Sequence, residues 1–361
     1  MAKIGIPEVS ITFKEAGVNA IQRGERGTVA LVLADAVSLK PTRLTSVKDI
    51  PETLNDFNKD QIKKTFLGYV TPPKEVLIYV QSEEELTFDK AFEYLEQAKW
   101  DWMAIPSITP EETAEVVSKI TTLRKEEGKK VKAVLPNVTA NSEGIVNFTS
   151  DEIKVGERIY TTAEYCGRIA GLIAGTPLQI APTYAPLPEV ESVKFLNKSD
   201  RAKAVDNGEF IIYHDGKKVK TARGVNSYTE YLGEGKANLP KALRKIKIVE
   251  AIDLIYSDII TIAEDNYIGK VPNSYDNKCL LITAIKEYFL SLERDNILAS
   301  GTSNVELDIE SQAEYLKSNG IEVADLSEKE LKEADTGSKV FLKANIKVLD
   351  AIEDIELPII I

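Results

Sequence analysis

An α/β fold, α+β over its whole length, is what this 361-residue sequence predicts, and three observations carry it. Between Thr28 and Leu135, apolar runs alternate with amphipathic stretches at the spacing of βαβ units. From Lys241 to Leu298, apolar residues recur at three- and four-residue steps in two segments parted by Asn-Tyr-Ile-Gly-Lys-Val-Pro-Asn at 266–273, the mark of a helical hairpin. From Val340 to Val348 the period falls to two, which places a half-buried strand near the C-terminus.

In chain order, Ile4, Ile6, Val9, Ile11 and Phe13 form an extended opening interrupted by Pro7, a residue that a central strand rejects. An edge strand or projecting arm is expected there. Gly-Glu-Arg-Gly at 24–27 punctuates the chain, and Thr28 to Ala34 then reads as a fully buried strand. Strands are expected at Val76–Val80, Trp102–Pro106 and Val131–Leu135, and helices at Phe88–Ala98 and Pro110–Glu127. The second helix has a good start in Thr109, Pro110, Glu111 and Glu112. Between Tyr160 and Ala185, Ala163, Gly167, Gly171 and Gly175 recur every fourth residue, leaving one helical face almost without side chains so that another backbone approaches closely. Arg168 and the short run before Pro177 make this a tightly packed core helix rather than a membrane dimer face.

Glu209 to Arg223 reads as a hairpin turning at Asp215-Gly216, and Gly233 to Pro240 as a hinge into the helical pair. In the first helix of that pair Leu243, Ile246, Val249, Ile252, Tyr256, Ile259 and Ala263 share a face expected to be buried. Ile248, Ile255 and Ile262 add a second row, so the helix is expected to pack on two sides. Gly269 and Pro272 stop it, and Asn273 or Ser274 caps a second helix with a stripe at Leu281 or Ile282, Ile285, Phe289 and Leu292. A strand at Val305–Ile309 and a helix at Glu310–Ser318, stopped by Gly320, lead into an acidic stretch from Glu322 to Asp335 that reads as a solvated face. Val340, Leu342, Ala344, Ile346 and Val348 then alternate with Lys339, Lys343, Asn345 and Lys347. After a polar break at Asp350–Asp354 the sequence closes on Ile-Glu-Leu-Pro-Ile-Ile-Ile at 355–361, a liability in water unless covered. That last strand either turns back locally or reaches another chain.

Composition removes several function classes. Lys and Arg total 45 against 57 Asp and Glu, a formal net charge of -12, which disfavours nucleic acid or an anionic membrane as the main partner. Cys166 and Cys279 have no paired spacing, so neither a disulfide framework nor a zinc site is signalled, and buried thiols in a reducing cytosol are expected. With no apolar core behind a basic start and no membrane-length run, synthesis and folding in the cytoplasm are expected. The βαβ spacing raises a nucleotide-binding α/β enzyme as an alternative. However, Gln-Ser-Glu-Glu-Glu follows Val80 where a phosphate site needs glycines. The nearest phosphate-loop match, ending Gly235-Lys236-Ala237, has Glu230 in place of its first glycine and no hydroxyl after the lysine. His214 is the only histidine, and no motif ties a nucleophile to it. No catalytic residue, cofactor or metal ligand is expected.

The order and spacing of four stretches resemble the tail sheath proteins of contractile phage tails and phage-like particles, especially the compact sheaths of prophages in Gram-positive bacteria. They are Pro-Glu-Val-Ser-Ile-Thr-Phe at 7–13; Gly-Glu-Arg-Gly-Thr-Val-Ala-Leu-Val-Leu at 24–33; Tyr-Cys-Gly-Arg-Ile-Ala-Gly-Leu-Ile-Ala-Gly-Thr-Pro at 165–177 with Ala-Pro-Leu-Pro at 185–188; and Asn-Tyr-Ile-Gly-Lys at 266–270 followed by Asn273. The resemblance implies a two-part subunit: an inner assembly domain from residues 1–27 and 237–361, a small β-sheet packed with helices, and an inserted outer α/β domain at 28–236. It implies polymerisation as stacked hexameric rings around an inner tube, contraction that drives the tube through a cell envelope, and tube, baseplate and tail terminator proteins as further partners. The arms would be Ile4, Ile6, Val9, Ile11 and Phe13 at one end and Ile355, Leu357, Ile359 and Ile361 at the other. The receiving sheet would be Val340, Leu342, Ala344, Ile346 and Val348. A static shell or surface array is the other assembly reading.

Overall fold

A computed structural model describes residues 26–36, 38–84, 87–229 and 241–360. The chain forms two compact units, one holding the described residues from Arg26 to Ser257 together with those from Val348 onward, the other holding Asp258–Lys347. The expected insert at 28–236 is therefore shorter than the compact unit that contains it. That unit continues through the first part of the long helix and takes back the C-terminal tail.

The first unit is a three-layer α/β/α structure. Its sheet runs in the order β2-β3-β1-β4-β5-β6-β9, with β1 at Thr28–Asp35, β2 at Leu39–Leu44, β3 at Glu75–Ser82, β4 at Trp102–Ala104, β5 at Lys132–Pro136, β6 at Ile145–Phe148 and β9 at Glu209–Phe210. All neighbours are parallel except β2, which runs antiparallel at one edge. β1 shows why a continuous apolar run suits this place. Alternate residues enter opposite cores, Val29, Leu31 and Leu33 one and Ala30 and Val32 the other, so both faces must be aliphatic.

One face is covered by α1 at Asp56–Phe66 and α4 at Thr162–Ala174, the other by α2 at Phe88–Leu95 and α3 at Thr113–Lys125. α3 begins three residues later than its Pro110 start signal suggests, because the Thr109 N–H and hydroxyl both donate to the Glu112 carboxylate at 2.8 Å. That bonding closes a separate turn ahead of the helix. α4 starts with a reciprocal cap between Thr161 and Glu164. Its glycine face meets α1 as the spacing predicts: a Cβ on Gly171 would lie 2.0 Å from the Thr65 carbonyl oxygen, and one on Gly175 would lie 2.0 Å from that of Thr71. Small hairpins of β7 (Ile153–Val155) with β8 (Arg158–Tyr160) and β10 (Ile212–His214) with β11 (Val219–Thr221), and the helix α5 (Lys198–Asp206), complete the unit.

α6 runs from Ile246 to Asn266. The expected buried face is only partly right, since Ile246 and Val249 are buried but Ile252 and Tyr256 are each 36% exposed. In their place Glu250 and Asp253 are buried, because this side of the helix meets the charged groups of α3 and β5 rather than an aliphatic layer, and Lys247 is buried against the C-terminal tail.

In the second unit α6 continues to its end and α7 occupies Tyr275–Arg294, capped by the Ser274 hydroxyl, which accepts from the Asn277 N–H. The Tyr288 hydroxyl donates to Asp258 at 2.6 Å, fastening α7 to α6, and Ile285, Phe289 and Leu292 are buried as the stripe predicts. β12 (Asn304–Leu307), α8 (Ile309–Ser318), α9 (Glu328–Glu333) and β13 (Leu342–Asn345) follow. β12 and β13 pair antiparallel, with Leu307 opposite Leu342 and Val305 opposite Ala344. β13 is shorter and wetter than the expected Val340–Val348 strand. Val340 and Ala344 are exposed, and Leu342 and Ile346 are half-buried, because only β12 covers it among the described residues.

Candidate assembly site

The C-terminal tail is where the structure departs most from a self-contained globule. Val348 packs against Tyr228, Leu243, Ile248 and Val249, so it belongs to the first unit and not to the strand it was expected to extend. Next, Lys247 donates to the Leu349 carbonyl, Lys245 pairs with Asp350, and Lys245 also reaches Glu353 at 3.1 Å. The Thr183 hydroxyl donates to Glu353, and Arg223 pairs with Asp354 at 2.6 Å. Burial pulls the Lys245 ammonium down, but the Asp350 and Glu353 carboxylates hold it above its ordinary value. Arg223 is likewise raised, first by its hydrogen bond to Asp354. The polar break at Asp350–Asp354 thus docks on the first unit.

Beyond it the docking contacts stop among the described residues. Ile355, Leu357, Ile359 and Ile360 are 81%, 75%, 76% and 97% exposed, in a segment without regular structure. Pro358 lacks an N–H, so this segment offers an interrupted row of donors suited to one edge pairing. The other arm residues, Ile4, Ile6, Val9, Ile11 and Phe13, and the terminal Ile361, lie outside the described residues.

The expected receiving residues divide between the units. Val340, Leu342, Ala344 and Ile346 lie in the second and Val348 in the first. Within the second unit, Val340 and Leu342 help line a groove of about 830 Å³ with Ile259, Ala263, Leu281 and Ile285. Helix periodicity explains its apolar walls, because the two faces of the hairpin that do not touch each other still carry aliphatic side chains. β13 offers one edge to β12 and, among the described residues, no strand takes the other.

A second cluster escaped sequence reading. Arg124 of α3 pairs with Asp253 of α6 at 2.8 Å and with Glu143 at 3.0 Å. Lys132 of β5 pairs with Asp253 and with Glu250, each at 3.0 Å, and Arg26 pairs with Glu250. Burial would raise Asp253 and Glu250, but Lys132 and Arg124 hold the first below the usual carboxylate range and Arg26 and Lys132 hold the second there. Burial pushes the nearby Asp101 carboxyl up, against the pull of Lys132 and of the Gly27 and Thr28 N–H groups that it binds at 2.7 and 2.8 Å. The cluster seats α6 on the sheet. Its signal in the sequence was the Glu250, Asp253 spacing, hidden among isoleucines.

His214 sits at the end of the β10–β11 hairpin, where its Nδ1 accepts the Gly216 N–H at 3.0 Å. Among the described residues no group of three or more His, Cys, Asp and Glu side chains is placed to hold a metal ion, and no helix is long and apolar enough to cross a membrane.

The family models for the phage tail sheath protein central domain and the phage tail sheath C-terminal domain match residues 82–227 and 239–361. The chain is 39% identical over 358 residues to the tail sheath protein of Clostridium phage phiCD119, covering 98% of each sequence. Its fold is similar to the crystal structure of a sheath tail protein from Desulfitobacterium hafniense, with a TM-score of 0.70 at 18% identity over 83% of this chain and 94% of that one. It is also similar to the helical sheath of the anti-feeding prophage in its contracted state, with a TM-score of 0.70 at 14% identity over 99% of both. On the family models and the phage relative, this chain belongs to the phage tail sheath protein family.

Proposed function

We propose that this tail sheath protein polymerises as stacked hexameric rings around an inner tube and contracts to drive that tube through a cell envelope, its terminal arms pairing with the sheets of neighbouring subunits. The observation that carries the arm reading is the run of exposed aliphatic side chains from residue 355 onward, directly after a segment held by Lys245, Thr183 and Arg223. At about 1.5–3 kcal/mol for each side chain taken out of water, covering Ile355, Leu357, Ile359 and Ile360 is a strong drive toward another surface. The open edge of β13 and the groove beside it supply the matching chemistry: free main-chain groups for an added strand and an aliphatic trough for alternate side chains. The residues at 1–13 would act in the same way.

On this reading the partners are further copies of this chain, a tail tube protein, and baseplate and tail terminator proteins. Neither nucleic acid, membrane nor cofactor takes part, and the protein catalyses nothing. It is made in the host cytoplasm and works in the tail of a particle. An outer body around the β1-centred sheet and an inner body around α7 and β13 are the two parts of the subunit, the inner one offering the receiving edge and the outer one holding the base of the C-terminal arm. The anti-feeding prophage sheath supports contraction by its fold and by the state in which it was captured. Electron microscopy of the protein coexpressed with its tube tests the proposal. Striated sheaths of two lengths are expected, whereas sheets or shells that ignore the tube would favour a static array.

A further inference from the structure

We propose that Glu353 roots the C-terminal arm on its own subunit, so that only the residues after Asp354 are handed to a neighbour. This rests on the reading that the arm pairs between subunits. It adds where the arm starts and which side chains fix that point.

The Glu353 side chain is 5% exposed, while Ile352 before it and Ile355 after it stand in solvent. A carboxylate is the costliest group in the tail to desolvate, and apolar residues on both sides are left wet. That inversion is explained only if the carboxylate has a prepared place. Three separate segments build it: Thr183 follows α4, Arg223 follows β11, and Lys245 precedes α6. The Thr183 hydroxyl donates to one carboxylate oxygen and accepts the Gly224 N–H at 2.9 Å, which fixes its orientation. Lys245 and Arg223 stand 3.1 and 3.7 Å from the other oxygen.

The flanking pairs are weaker, since Asp354 is largely exposed and such ion pairs add little. They nonetheless bracket Glu353 on both sides. The consequence is geometric. With about 3.3–3.6 Å per extended residue, the segment from Ile355 to Ile360 reaches roughly 20 Å beyond the root. An edge that takes up these six residues must lie inside that radius, and a subunit that rotates in the polymer keeps that pairing only while it stays there.

The test uses the full-length protein in three forms: Glu353→Lys, Glu353→Gln, and a chain ending at Asp354. Chymotryptic cleavage after Leu349 in the unassembled subunit is read beside sheath assembly by electron microscopy, with hydrogen exchange of the β1 amides as the control for folding. Glu353→Lys should speed that cleavage by about tenfold or more, the weight of one charge-assisted hydrogen bond, leave β1 protected, and shorten or abolish sheaths. Glu353→Gln, which keeps an acceptor for Thr183, should fall between Glu353→Lys and the parent protein in both readouts. Should Glu353→Lys lose β1 protection, Glu353→Gln carries the test alone. Unchanged cleavage after Leu349, or sheaths of normal length from Glu353→Lys, would overturn the root. Normal assembly by the chain ending at Asp354 would instead overturn arm pairing itself.

Discussion

β1 and the last six described residues are both short and aliphatic, yet their surroundings are opposite. Val29 through Leu33 are at most 1% exposed, while Ile355, Leu357, Ile359 and Ile360 are at least 75% exposed. Composition does not separate them. β1 has β3 on one edge, β4 on the other and a helical layer on each face, so its apolar run is satisfied within the subunit. The tail has a polar root on one side and, among the described residues, nothing beyond it. An apolar segment that the described residues leave uncovered, in a protein of the tail sheath family, is expected to form half of an interface.

Experiments can break or sharpen that contrast. The largest effect is expected from Asp253→Ala, which strips Lys132 and Arg124 of their shared carboxylate while both stay buried. A loss of about 3–5 kcal/mol in urea unfolding of the first unit is predicted, with exchange in residues 355–360 unaltered. A loss below 1 kcal/mol would mean that the cluster opens to water.

Gly171→Ala comes next. Its methyl would lie 2.0 Å from the Thr65 carbonyl oxygen, a backbone atom that cannot swing aside, so about 1–3 kcal/mol of stability should go as α1 and α4 move apart. A melting temperature equal to that of the parent protein would show that the helices have room the geometry denies.

Acid should loosen the core while leaving the arm as exposed as before. Asp253 and Glu250 are held below their ordinary values when folded, so their stabilisation is complete above the usual carboxylate range and is lost as pH falls through the depressed folded values. Asp101, pushed up by burial, works in the opposite sense and blunts the loss. Thermal melts should therefore hold from neutral pH down to the usual carboxylate range and decline as pH falls through it toward the depressed folded values, and Asp253→Asn should flatten the profile.

The smallest effect on the subunit and the sharpest on its assembly are expected from Leu357→Asp. At a site 75% exposed, the change should shift unfolding by no more than about 0.5 kcal/mol. Sheath formation should nevertheless fail, because the charge would have to enter an apolar trough.

How much of this was legible in the sequence depended on the kind of interaction. β1 and the glycine face of α4 could be read because a continuous apolar run and a four-residue spacing state their own surroundings. β2 could not, since Leu-Lys-Pro-Thr-Arg-Leu has a proline, one buried side chain and a register shift against β3. α1 was equally silent, its buried face mixing Asn58, Gln61 and Thr65 with Ile62 and Phe66. Ile252 and Tyr256 were misplaced because helical period fixes which residues share a face but not which face is buried once Glu250 and Asp253 find cations across the fold. The tail repeats that lesson. Its apolar end was plain, but its anchorage depends on residues at 183, 223 and 245, and no local pattern announces such distant partners.

Hydrogen exchange across the 355–360 amides, in the isolated subunit and in assembled sheaths, asks whether the arm pairs with a neighbour. Exchange near the unprotected rate is expected in the subunit, and slowing by about a hundredfold or more in the sheath, as main-chain pairing with a neighbour covers the segment. Equal, rapid exchange in both states would contradict it, since the arm would then be as free in the polymer as it is in the single chain.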